Sequence, residues 1–136
     1  MRSLIVAGAL WPASSGSGPS NTLAANPCAT PGASYLETFA EQPGGTCGTA
    51  PSQVLNVNTN GTVTSSVPVS CASTEQSGCT AHDADCAETT NGVTCMVTTD
   101  VTFASDGSSA TGLETLSCSN ASSSCVSTYT VSAARQ

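Results

Sequence analysis

Lysine is absent from this chain, and arginine occurs only at positions 2 and 135. Without lysine there is no Schiff-base chemistry and no Ser–Lys dyad. Proteins that track a phosphate backbone need clustered Lys and Arg, so the sequence excludes nucleic acid as a partner. Anionic membrane surfaces are disfavoured on the same ground. Large rings are also scarce, with aromatic residues at 4%. Once Trp11 is assigned to the leader, only Tyr35, Phe39, Phe103 and Tyr129 remain to fill a core. Hydrophobic residues reach 38%, below the roughly 45–50% of ordinary globular chains. There is no CxxC pair, no GxSxG elbow, a single histidine (His82) and no helical periodicity. The N-terminal apolar run, Leu4–Trp11, is far shorter than the ~20 residues a membrane-spanning helix needs.

Cysteine is what the chain does have. Cys28, Cys47, Cys71, Cys79, Cys86, Cys95, Cys118 and Cys125 are an even set spread through everything after the leader. Such a set behind a hydrophobic N-terminus reads as an oxidised, exported domain: secreted, periplasmic or displayed at the cell surface. Each native disulfide in a small domain contributes about 2–5 kcal/mol, so cross-links supply what burial cannot. Nine acidic residues against two bases leave a net charge of -7.

Residues 1–15 read as a signal-peptide-like leader, with Arg2 ahead of the apolar run and small residues around Ala13. Residues 16–32 are rich in Pro, Ser, Gly and Asn and read as a flexible tether, with Cys28 available to staple its end. Residues 33–136 form the domain. Its clearest strand is Val93–Ala104. There Val93, Cys95, Val97, Thr99, Val101 and Phe103 fall on one face and Thr94, Met96, Thr98, Asp100 and Thr102 on the other.

Asn91-Gly92 and Asp106-Gly107 are type I′ turn pairs. The registers they set place Phe103 opposite Ala110, Val97 opposite Leu116, Cys95 opposite Cys118 and Cys86 opposite Val97. Leu113 then falls on the outer face unless Gly112 carries a bulge. In the earlier hairpin, a three-residue loop Thr59-Asn60-Gly61 with Gly61 left-handed pairs Val57 with Val63 and keeps the valines inside. Pro68 falls on the outward parity and suggests an edge or an irregular strand end. A first strand near Ser34–Glu41 puts Tyr35, Glu37, Phe39 and Glu41 on one face; a last strand near Cys125–Ala134 does the same for Cys125, Tyr129 and Val131. The expectation is an all-β antiparallel meander of seven short strands, barrel-like or a two-layer sandwich, stapled by disulfides. The barrel is favoured because the first and last strands would cover each other's edges. Register favours Cys95–Cys118 as a bonded pair, with Cys86–Cys95 and Cys118–Cys125 as competitors.

The stretches Gly32–Glu41, Gly44-Gly45-Thr46-Cys47-Gly48 and Ser123–Val131, with the spaced cysteines between them, resemble small Cys-rich lipoproteins and secreted proteins predicted from myxobacterial genomes. The resemblance spans most of residues 28–134. It implies export and β structure, and no activity comes with it.

Three sets of residues carry candidate chemistry. Cys79-x2-His82-x3-Cys86 has zinc-ligand residues, and Asp83 with Asp85 has calcium-ligand oxygens. Oxidised cysteines are lost to zinc, and the aspartates lack an EF-hand's spacing, so an acidic loop with no metal and no other cofactor is expected across Cys71–Cys86. Glu37, between Tyr35 and Phe39, shares the inner face with Glu114, which lies opposite Thr99. Two inward carboxyls with raised pKa could act as an acid–base pair or line a ligand pocket. Whether they share an enclosed cavity or face solvent separately discriminates between the readings. The third set is Ala72–Gly78, a segment fit for a rigid inhibitory loop. Together these features read as an exported binding or surface-structural module rather than an enzyme, its partner a protein, a glycan or a small molecule. A ligand-carrying or hydrolytic barrel using Glu37 and Glu114, and an inhibitor of an extracellular enzyme, are the alternatives.

Overall fold

The structure is a computed structural model that describes residues 25–64 and 73–136. All the regular structure described is β. The strands are β1 (Ser34–Glu41), β2 (Gln53–Val57), β3 (Val63–Thr64), β4 (Ser73–Ser77), β5 (Thr80–Thr90), β6 (Val93–Phe103), β7 (Ser109–Ser119) and β8 (Ser124–Arg135). They form one antiparallel sheet in the order β3-β2-β1-β8-β7-β6-β5-β4. This is a single continuous sheet, not two stacked layers. First and last strands pair over seven residues, Tyr35↔Arg135 to Glu41↔Tyr129. That junction moves the open edges to β3 and β4, so the barrel is not closed by a ladder among the described residues. The sheet nevertheless curls, because side chains of β1–β3 and of β5–β7 line one shared cavity.

Alternation explains the strands. On β8, Cys125, Ser127, Tyr129, Val131 and Ala133 are buried while Val126, Thr130, Ser132 and Ala134 are exposed. The registers Phe103↔Ala110, Val97↔Leu116 and Cys95↔Cys118 are present, and Leu113 lies outward. At the β5–β6 turn both Asn91 (φ 53) and Gly92 (φ 76) are left-handed, as a type I′ turn requires. The Asp106-Gly107 turn keeps its register but not its type. Only Gly107 has positive φ, and its N–H bonds to the Ala104 carbonyl, so the loop is one of four residues closed by a left-handed glycine. Gly61 (φ 81) closes the β2–β3 turn, and Val57 pairs with Val63. Of the remaining valines of that hairpin, Val67 and Val69 lie with Pro68 outside the described residues.

Two further expectations are corrected. Residues 73–77 are not a loop: they form β4 and pair with Thr80–Ala84 across a two-residue Gly78-Cys79 turn, which gives an eighth strand. Polar residues with weak strand preference are held there because β5 itself pairs with β6. Residues 25–32, expected within the tether, are fixed on the sheet. Asn26 is buried, donates to the Cys79 carbonyl at 3.1 Å and accepts from the N–H groups of Cys28 and Ala29 at 2.9 and 3.0 Å. Ala29 is buried in the main core with Tyr35, Leu55, Val57, Phe103 and Val131. Tyr35 and Phe103 meet edge to face at 5.2 Å, and the Tyr35 hydroxyl donates to the Gly107 carbonyl at 2.7 Å. The leader and the earlier part of the tether lie outside the described residues, as do Cys71 and Ala72.

Candidate functional site

The inner face carries the titratable groups. Glu37 on β1 is 4% exposed and Glu114 on β7 is 8% exposed. Both line one cavity with Gln53, Val63, Asp83 and Thr99. The two carboxyls therefore share an enclosure rather than facing solvent separately. Burial is the main cause of the pKa shift at each. It moves Glu37 from 4.5 to about 7, with the nearby Glu114 carboxyl adding and a hydrogen bond with Gln53 opposing. It moves Glu114 to about 7 as well, against a bond from Thr99 Oγ1 at 3.4 Å. Among the described residues, no Lys, Arg or His lines the cavity. The space open to the centre of a water molecule is about 20 Å³. One water needs roughly 10–15 Å³ on that measure, whereas pockets for small ligands enclose hundreds.

Asp83 lies on this face because β5 is irregular. Asp83 pairs with Thr99, the register then shifts, and Asp85 takes φ 50 before Cys86 pairs with Val97. One cross-strand row consequently reads Glu41, Tyr129, Glu114, Thr99, Asp83. Alternation alone could place Glu37 and Glu114, but the inward aspartate needed the bulge, whose only local sign is the Asp-Ala-Asp run.

A second polar cluster, not anticipated from the sequence, clamps the β1–β2 connection onto β8. The buried Ser127 hydroxyl donates to Glu41 and accepts from the backbone N–H groups of Thr46 and Cys47 at 2.9 and 2.8 Å. Gly48 N–H also donates to Glu41 at 3.0 Å, and the Tyr129 hydroxyl donates to the Gly48 carbonyl at 2.7 Å. These donors, Ser127 first, hold the Glu41 carboxyl below its usual range. The tie stands beside the Cys47–Cys125 disulfide.

Three disulfides are described. Cys28–Cys79, Cys47–Cys125 and Cys95–Cys118 have Cα separations of 5.2, 5.1 and 4.0 Å. Cys86 is disulfide-bonded too, and no cysteine among the described residues is free. Cys118 lies opposite Cys125 in register yet bonds to Cys95. The competing pairs Cys86–Cys95 and Cys118–Cys125 are not formed. Cys79 and Cys86 are thus both lost to a metal. His82 points to the outer face, its Nδ1 at 2.7 Å from Asp100 Oδ1. Among the described residues no cluster of three His, Cys, Asp or Glu has metal-holding geometry.

The outer face is different in kind. One row runs Thr38, Ser132, Thr111, Thr102, Thr80, Ser77 across β1, β8, β7, β6, β5 and β4. A second runs Ser124, Ser119, Thr94, Thr89 across β8, β7, β6 and β5. Neighbours in these rows bond to one another, Thr80 to Thr102 at 2.7 Å and Thr89 to Thr94 at 3.0 Å. The same parity that buries the valines presents these hydroxyls, so the array was legible once the registers were known.

No helix among the described residues is long and apolar enough to cross a membrane. No family model, curated protein or solved structure matches this chain.

Proposed function

We propose that this chain is an exported, disulfide-stapled binding module whose outer sheet face takes an extended, uncharged, hydroxyl-rich polymer: a neutral polysaccharide. The observation that carries the reading is the row of six hydroxyl side chains running unbroken across six strands. A hydrogen bond to a ligand replaces one to water and gains only about 0.5–1.5 kcal/mol. One sugar would gain too little. A row with a hydroxyl every ~4.8 Å covers roughly 24 Å of sheet surface and lets many weak bonds add along one chain. The row itself has no charged side chain, and the acidic molecule repels polyanions. Disulfides fit an oxidising, extracellular compartment, where such polymers are found.

A second reading, acid–base chemistry by Glu37 and Glu114, is favoured by their shared cavity. Its size argues the other way, since room for about one water leaves none for a substrate beside both carboxyls. The inhibitor reading loses support, because the segment that would serve as its loop is strand β4 from residue 73 onward.

The test is co-sedimentation of the oxidised protein with insoluble cellulose, chitin and β-1,3-glucan. Retention on at least one neutral polymer is expected, with binding about tenfold weaker for Thr102→Val/Thr111→Val. Valine keeps the branched shape and removes only the hydroxyl. Equal retention of the double variant, or no retention on any neutral polymer, would overturn the proposal. Hydrolysis of a polymer by the native chain but not by Glu114→Gln would favour the second reading.

A further inference from the structure

The cavity stands at the seam of the curled sheet. One wall is Glu37, Gln53 and Val63 from β1–β3; the other is Asp83, Thr99 and Glu114 from β5–β7. The two walls are joined by ladders only the long way round, through β8, and no ladder links β3 to β4 among the described residues. At one end of the seam a latch crosses it. The segment Asn26–Gly32 bonds to the β2–β3 side, Asn26 N–H to the Gly61 carbonyl and Gly32 N–H to that of Val57. It is tied to the β4–β5 turn by Cys28–Cys79. No further ladder crosses the seam among the described residues.

We propose that Glu37 and Glu114 form a proton-operated closure: the seam shuts when the two carboxyls are protonated and parts when both ionise. Like charges on the two walls of a buried cavity repel strongly, and among the described residues no Lys, Arg or His lines it to neutralise them. The groups that face the pair are Glu41 on β1, Gln53 on β2, Val63 on β3, Asp83 on β5, Thr99 on β6 and Tyr129 on β8. Every ionisable member of that set is an acid, so each further ionisation adds to the repulsion. On β4, Thr74 is the residue opposite Asp83. The raised carboxyl pKa values near 7 place the transition around neutrality. Because Cys28–Cys79 holds one end and the β8 ladders hold the back, the movement is a hinge-like opening rather than unfolding. This inference is independent of what the outer face binds.

Amide hydrogen exchange of the oxidised full chain, read by mass spectrometry at pH 5.5 and 8.5 and corrected for intrinsic exchange, tests it. Peptides covering β2 and β5 should open about tenfold more at the higher pH, while β7–β8 peptides change little. In Glu37→Gln/Glu114→Gln the difference should vanish. Uniform exchange across the sheet at both pH values, or an unchanged pH dependence in the double variant, would overturn the proposal. Should that variant not fold, carbon-13 titration of the native side-chain carboxyls decides. Two glutamates titrating near neutrality together with β2 and β5 amide shifts support it, and ordinary acidic titration of all glutamates refutes it.

Discussion

At the scale of residues, the same side-chain type serves opposite ends. Glu41 accepts from Ser127 and Gly48 and is held ionised, whereas Glu37 and Glu114 are pushed toward the neutral acid by burial. The linkage signs follow. A carboxyl whose folded pKa is raised leaves the native state holding more protons than the unfolded chain between the two pKa values. Stability due to Glu37 and Glu114 is therefore greatest below pH 4.5, falls as pH rises to about 7, and stays low above it. Glu41 acts oppositely, adding stability above its unfolded pKa and losing it as pH falls through the lower folded value. Thermal unfolding should show a Tm optimum on the acidic side of neutrality. Glu114→Gln should flatten the fall between pH 5 and 8 and stabilise the protein at pH 8 by on the order of 1–3 kcal/mol. A wild-type Tm that rises from pH 5 to 8 would contradict this.

At the scale of elements, the sheet's most demanding contact is between β6 and β7. A Cβ built on Gly112 would run into the Asp100 carbonyl and the Val101 Cα, which are backbone atoms that cannot turn aside. Gly112→Ala should cost about 1–3 kcal/mol, measured by urea denaturation, although alanine in a strand is ordinarily more stable than glycine. No bulge is needed there, and the ladder is continuous from Thr94↔Ser119 to Phe103↔Ala110. The irregularity belongs instead to β5. Two turns are shaped locally: Asn60 and Asn120 accept from backbone N–H groups two residues on.

At the scale of the whole molecule, a thin core is divided in two. One cluster gathers Tyr35, Leu55, Val57, Phe103 and Val131; the other is Cys47, Cys118 and Cys125 with Val93, Cys95 and Leu116 against them. The second is built largely of disulfide sulfur, so its cohesion is covalent. Cys47–Cys125 spans 78 residues and Cys95–Cys118 spans 23. Chain-entropy reasoning makes the longer closure worth more by about 1 kcal/mol. Replacing Cys47 and Cys125 with serine should therefore lower stability further than replacing Cys95 and Cys118, as urea denaturation under non-reducing conditions would show. The reverse order would mean that local strain, not loop entropy, governs these bonds.

Period-two alternation was enough to define β1, β6, β7 and β8, their inner faces and the inward carboxyls Glu37 and Glu114, because a strand with one wet face writes its orientation into its sequence. Turn residues set the registers, and with them the Cys95–Cys118 pair, since pairing geometry is local once a turn is known. Other features were decided by contacts far apart in the chain. Ser73–Ser77 becomes a strand because β5 offers it an edge, Cys28 reaches Cys79 because residues 25–32 fold back over the core, and Asp83 turns inward through a bulge. Above all, the shared cavity exists because the sheet curls and brings β1–β3 toward β5–β7. Curl is a sum of twists over every strand pair, a property that no single stretch of sequence carries.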